Sequence, residues 1–299
     1  MTEQSTTIRH VHVLGHPSRA LDTASAPADA QVLTCRTMCV LLARARVPFT
    51  YYGLSGSRVP APGAFVDLGP AAADWVYGNP WHHEYTRRLQ AALTAQMAAA
   101  AGPTVVLSLY GAAHSDIDYG AWPVIEPMVG YDHCWAPYRV FPSFAQQHVM
   151  YADPESHIQD NKWFDTVIPH FLDPDEYWIG PRGEDYVLFL GRDTPDKGVD
   201  IAKEVCDRAA VPLRLVHDGV YGAAKTELIT GARCVLMPTL YVEPFGYVAV
   251  ESQLCGVPVV ATDWGAFAET VEHGRSGFRC RTMAEFLEGI RRSPTLDRA

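Results

Sequence analysis

Residues 237–260, MPTLYVEPFGYVAVESQLCGVPVV, leave a chain little choice of fold. An apolar run ending at Met237 reads as a strand, a short loop follows, and a helix opens at EPFG. Pro244 suits a first helical turn, where a missing N–H costs nothing. Gly256 followed by Pro258 stops the helix before a strand over 257–261. Glu243 stands just before the helix and Glu251 lies further along it. Between them the amides of Phe245, Gly246, Tyr247 and Val248 are first-turn amides, which an α-helix leaves without intrahelical partners. Such amides at the positive end of a helix attract anions, and carboxylates beside them accept hydrogen bonds from hydroxyls. The pattern predicts a ligand that is both phosphorylated and rich in hydroxyls, such as a nucleotide sugar.

The rest of the chain sets this stretch in an alternating α/β pattern. In the second half, strands are expected at 186–190, 212–217 and 234–237, with helices at 198–210, 223–231 and 283–292. The loop with Arg192 and Lys197, the 217–219 turn and the EPFG helix start all fall at the carboxyl ends of strands. There a doubly wound parallel sheet binds its ligands. The first half reads less cleanly. Strands are expected at 11–14, 47–54, 104–110, 123–129 and 137–144, and helices at 30–46, 82–101 and 146–151. Residues 21–30 read as a loop, and no internal repeat is found.

Composition bounds the alternatives. A chain of 299 residues has room for two domains. No run approaches the apolar length of a membrane span, and MTEQSTTIRH lacks the regions of a signal peptide. Seven scattered cysteines are an odd number and form no disulfide framework, so the expected compartment is the cytoplasm. A formal net charge of −10 argues against a surface that tracks nucleic-acid phosphates.

Three further segments join EPFG in a family resemblance. They are VIPHFLDPDEY at 167–177, YVLFLGRDTPDKGVDIA from Tyr186, and GVPVVATDWGAFAETVEHGRSGF from Gly256. With the spacing of Glu243 and Glu251, they resemble the retaining, GT-B-fold glycosyltransferases of family 4, glycosyl transferases group 1, over roughly residues 165–278. The resemblance implies two Rossmann-like doubly wound domains facing a cleft. An acceptor-side domain would occupy 1–168 and a nucleotide-sugar-binding domain 169–282, with a helix in 283–299 crossing back to the first. It implies transfer of a hexosyl or pentosyl group, with retention, from a nucleotide-diphosphate sugar to an acceptor hydroxyl, with no metal or other cofactor.

Roles are carried over by position. Arg192 and Lys197 match the cations that face the donor diphosphate. Glu243 matches the residue that binds sugar hydroxyls, Phe245 to Val248 supply amides near sugar and phosphate, and Glu251 matches the holder of the ribose. His217 and Gly219 fall where the base is chosen. In the first domain the usual paired glycines after the first strand are reduced to Gly15, so Gly15 and His16 are the candidates for donor contact there. A residue near the reacting sugar is sought among His114, Glu126 and His133, and the sequence does not decide among them.

The acceptor stays open between a saccharide, a small metabolite and a hydroxymethylated DNA base, the last as in phage-type enzymes. A non-catalytic nucleotide-sugar-binding protein is the other reading, and it explains the reduced first-domain motifs. A nucleotide-sugar epimerase shares the fold and fits EPFG poorly. Asp116 and Asp118 form a D-x-D triplet that a different glycosyltransferase fold uses for metal, and here it is read as chance. Cys35 and Cys39 lack a second ligand pair at zinc spacing and are read as core thiols.

Overall fold

A computed structural model describes residues 8–22, 30–99, 102–131, 134–152, 164–181, 183, 185–217 and 220–297. The chain divides into two compact units, one built from residues up to Phe141 plus Met150–Phe171, the other from Pro142–Val149 and Leu172 onward.

Among the described residues the first unit holds a seven-stranded sheet in which every pairing is parallel. Its elements in chain order are β1 (His10–Leu14), α1 (Ala30–Arg44), β2 (Phe49–Gly53), β3 (Ala64–Asp67), α2 (Pro80–Ala99), β4 (Thr104–Ser108), β5 (Val124–Glu126), β6 (Tyr138–Phe141) and β7 (Thr166–Val167), while α3 (Phe144–Ala152) is divided between the two units. The strand order is β3-β2-β1-β4-β5-β6-β7. Because successive side chains on a strand point to opposite faces, β1 serves two cores. Val11 and Val13 pack with Cys35 and Cys39 of α1, while Leu14 packs with Tyr85, Leu89 and Leu93 of α2. The two cysteines are thus core thiols.

The second unit is a five-stranded parallel sheet, ordered β12-β11-β10-β8-β9. Its elements are β8 (Val187–Leu190), α4 (Val199–Ala209), β9 (Leu213–Val216), α5 (Gly222–Thr230), β10 (Cys234–Met237), α6 (Tyr247–Leu254), β11 (Val259–Thr262), α7 (Phe267–Thr270), β12 (Gly277–Cys280) and α8 (Met283–Arg292). Val187 and Phe189 face α4 and α8, whereas Leu188 lies in the opposite core with Leu228 and Ile229 of α5 and Ala249 of α6. The chain runs from β8 to β9 on one side and to β10 on the other, so the strand order reverses between β8 and β10. A crevice opens at such a switch point, outside the carboxyl ends of the two strands.

The expected α/β alternation is present in both units, with differences that have physical causes. The helix after β10 opens at Tyr247 rather than at EPFG, because Gly246 sits at φ +81° and a left-handed residue cannot continue a right-handed helix. Pro244 is therefore in the loop. Four elements, β3, β7, α7 and β12, have no counterpart in the sequence reading. The strand β7 is two residues long and the others four each, too short for periodicity to register.

The last helix belongs to the second unit, where the sequence reading carried it back to the first. Its apolar stripe, with Phe286 and Ile290, enters the core of Val187, Phe189 and Cys280. Thr282 and Glu285 cap it reciprocally. The first-unit boundary also differs from residue 168. Pro142–Val149 joins the second unit, and there Phe144 N and Ala145 N donate to the Glu269 carboxylate at 2.9 and 2.8 Å. A carboxylate at a helix amino end satisfies orphan amides and the macrodipole together.

Replacing Phe286 by alanine removes a ring that is 5% exposed. Loss of such a ring costs about 3–5 kcal/mol. Chemical denaturation of the F286A chain should show a loss of that size. A loss below ~1 kcal/mol would place the helix outside the core.

Candidate functional site

At the switch point of the second sheet, two loops are stitched together. One follows β8 and carries Arg192 and Lys197; the other follows β10 and carries Glu243. Leu240 N donates to Asp196 O across them at 2.8 Å. Lys197 Nζ reaches Glu243 Oε2 at 2.9 Å, and both side chains are mostly buried. Tyr241, between the two in the contact, donates its hydroxyl to the same Oε2 at 2.6 Å and accepts from Lys197 Nζ. The ammonium also lies 4.6 Å from the Tyr241 ring centroid. Burial, and then the Glu243 charge, push the Tyr241 hydroxyl pKa well up, so it remains a donor.

The backbone of Glu243 is fixed by close approach. A Cβ on Gly265 would stand 2.7 Å from Glu243 N, and Ala266 N donates to Glu243 O at 2.9 Å. Gly265 is thus both a turn residue, at φ +61°, and the gap into which the Glu243 backbone fits. Phe245 is buried with its ring edge-on to Tyr247, and the first intrahelical donors after Gly246 are Ala249 and Val250.

Arg192 stands apart from this contact. Its side chain is 69% exposed and 3.6 Å from Asp196, a surface pair that adds little to stability. His217 Nδ1 lies 3.2 Å from Gly191 O, which places the imidazole beside the Arg192 loop. Gly219 lies outside the described residues.

Glu251 projects from α6 and is only 3% exposed. Tyr177 donates to Oε1 at 3.2 Å, and Lys225 Nζ of α5 lies 2.5 Å from Oε2. That second contact is an ion pair off the line of a hydrogen bond, for Oε2 has no aligned donor among the described residues. No sequence signal marks Lys225, and Tyr177 ends the VIPHFLDPDEY segment without a pattern that singles it out. Tyr241 could have been found from its place two residues before Glu243.

In the first unit the candidates hold the structure together. His114 is fully buried and its pKa is lowered by burial to about 3, so it is neutral. Its Nε2 lies 3.2 Å from Gly15 O and its Nδ1 3.1 Å from the Ser108 hydroxyl. The imidazole and the Tyr85 hydroxyl, 2.7 Å from Gly15 O, fix the turn after β1. A Cβ on Gly15 would collide with Tyr52 O at 2.5 Å, which accounts for the glycine by packing alone. His16 accepts from Ser18 N at 3.0 Å and meets the Tyr110 ring edge-on. His133 lies outside the described residues.

Glu126 is fully buried at the end of β5. Its Oε2 accepts from Trp135 N and Ala136 N at 2.6 and 2.8 Å, and its Oε1 from the Tyr131 hydroxyl at 3.2 Å. Burial raises its pKa to about 7 against the pull of those donors. These bonds use the carboxylate to organise the segment after β5. Among the described residues no three His, Cys, Asp or Glu side chains gather as a metal site, and no helix is long and apolar enough to cross a membrane. Asp116 accepts from the Tyr77 hydroxyl and Asp118 from Gly120 N, so each aspartate has a local partner.

Residues 213–293 match the family model of glycosyl transferases group 1, a range that includes Glu243 and Glu251 and excludes Arg192 and Lys197. A D-inositol 3-phosphate glycosyltransferase of Rhodococcus erythropolis is 32% identical over 153 residues, which cover 38% of this chain and 35% of that one. The chain thus spans about a third of that curated relative. Among solved structures, AviGT4, a glycosyltransferase involved in avilamycin A biosynthesis, superposes with a TM-score of 0.69 at 18% identity, over 94% of this chain and 88% of its own. The Anabaena protein HepE in complex with UDP-glucose gives 0.57 at 16% identity, over 94% and 88%. At these identities the structures speak for the fold, which is GT-B, with two Rossmann-like α/β units. The family model and the curated relative match part of the chain to glycosyltransferases, and the fold agrees with the GT-B architecture that the motifs imply.

A raised carboxyl pKa has a definite stability signature. The unfolded chain releases the Glu126 proton near 4.5 and the folded chain near 7, so stability is full below the first value and is lost as pH rises through the second. Replacement by glutamine keeps an oxygen for the two amides and removes the titration. The stability of the wild type relative to Glu126→Gln should fall by about 3 kcal/mol between pH 4 and pH 8, at about 1.4 kcal/mol per pH unit. Parallel curves from denaturant titrations across that range would contradict the assignment.

Proposed function

We propose that this chain is a retaining glycosyltransferase that moves a sugar from a nucleotide-diphosphate sugar to an acceptor hydroxyl. The observation that carries the reading is the contact of Lys197 with Glu243 at the β8–β10 switch point, in the stretch that resembles a donor site. On this reading Lys197 and the exposed, extendable Arg192 balance the charge that grows on the diphosphate as the glycosidic bond breaks. Glu243 accepts from sugar hydroxyls, the 245–248 backbone lies against sugar and phosphate, and Glu251 accepts from the ribose.

The bond from the anomeric carbon to the diphosphate oxygen breaks, and the acceptor oxygen bonds to that carbon on the same face. The acceptor proton passes to the leaving phosphate oxygen, so no protein nucleophile is required. The buried, neutral His114 and the fully engaged Glu126 agree with a route that asks no base of them. The charge is carried by side chains, and the reaction proceeds without a metal. A UDP-sugar is the first donor to try, since HepE was solved with UDP-glucose. The formal charge of −10 favours a saccharide or small metabolite over DNA as acceptor, and the buried cysteines suit the cytoplasm.

Thermal melting with UDP, GDP, ADP and TDP, and then their sugars, tests the donor site. A ligand at 100 times its Kd adds about 2.7 kcal/mol of stability. The expected result is stabilisation by one nucleotide family, with slow hydrolysis of its sugar that Lys197→Met lowers about a hundredfold. Binding without hydrolysis or transfer would mark a nucleotide-sugar-binding protein. Absence of any shift would overturn the donor site itself.

A further inference from the structure

The two oxygens of Glu243 are not equivalent. Oε2 takes the Lys197 ammonium at 2.9 Å and the Tyr241 hydroxyl at 2.6 Å, while Oε1 has no hydrogen-bond partner among the described residues. Tyr241 also accepts from Lys197, so ammonium, hydroxyl and carboxylate close a three-membered ring of contacts. The Tyr241 backbone is pinned in turn, because its carbonyl accepts from Trp264 Nε1 at 3.2 Å. We infer that Tyr241 is a positioning residue for the sugar half of the donor: its hydroxyl commits one Glu243 oxygen to the protein and turns the other toward a sugar hydroxyl.

The inference rests on the donor-site reading above and adds to it a residue with no role there. The physical argument concerns alternatives open to a lysine beside a carboxylate. Without a second donor on Oε2, the ammonium is free to slide between the two oxygens and occupy both, since the charge-assisted contact favours neither. A carboxylate so chelated offers a sugar no oriented acceptor. With the Tyr241 hydroxyl in place, the Oε2 side is filled and the ammonium stays over the Tyr241 ring, 4.6 Å from its centroid. A ring of mutually bonded polar groups is stiffer than its separate pairs. Tyr241 therefore acts through Glu243 and touches no reacting atom.

The test compares UDP, GDP and ADP with UDP-glucose, GDP-mannose and ADP-glucose on the wild type and Tyr241→Phe, by calorimetry. Phenylalanine keeps the ring and removes only the hydroxyl, and a melting curve checks the fold. The expected result is a split: Y241F binds the accepted nucleoside diphosphate within about threefold of wild type and its sugar conjugate at least tenfold more weakly. A change common to both ligands, or no change in either, overturns the inference while leaving the donor site standing. Failure of the wild type to bind any of the six, or TDP and its glucose conjugate, overturns the donor site, and the inference falls with it. If Y241F melts early, Tyr241→His, which restores a ring with a hydrogen-bonding nitrogen, should return part of the sugar term. A histidine variant that binds the conjugate no better than Y241F counts against the role.

Discussion

A lysine ammonium and a glutamate carboxylate at hydrogen-bond distance, both largely out of water, must be held by something stiffer than their own side chains. Desolvation of the two charges opposes the contact, and only fixed geometry makes it persist. In the second unit that geometry comes from the sheet. Lys197 and Glu243 stand on loops that leave β8 and β10, neighbours at the point where strand order reverses, and Leu240 N bonded to Asp196 O ties one loop to the other. Gly265 lets a third loop press against the Glu243 backbone. The chemistry proposed for the chain depends on this frame more than on any single side chain.

The motif-rich second unit was largely legible from sequence. Strands buried on both faces read as short apolar runs, and β10 and α8 begin and end where the pattern placed them. Glu243 and Lys197, far apart in the chain and both singled out by the motifs, are in contact. What could not be read was the partnership of Glu251 with Lys225 and Tyr177. It is a tertiary contact between α6, α5 and an irregular segment, and no local spacing encodes it. The helix start was misplaced for a similar reason. Proline propensity favoured Pro244, and the left-handed Gly246, which packs against Phe267, prevailed.

The first unit shows the converse. Its polar residues looked like candidates because charged and imidazole groups stand near strand ends, where ligands are found. His114 and Glu126 prove to be internal fasteners, their donors and acceptors met by Gly15, Ser108, Trp135 and Ala136. A buried polar group that orders a loop and one that awaits a ligand have the same sequence appearance. Only the census of their partners separates them.

The capping of α3 by Glu269 bears on how such a chain is put together. The second unit is made of two pieces of the sequence, Pro142–Val149 and everything from Leu172, and the smaller is fastened by the Glu269 carboxylate and by Ser143 bonded to Pro244 O. A recombination event that joined genes at the apparent border near residue 168 would import a second unit whose carboxylate has lost its amides and whose EPFG loop has lost a hydroxyl. Exchange of this unit as a whole is therefore constrained by eight residues that come from the other half of the sequence and are matched to the loop they fasten.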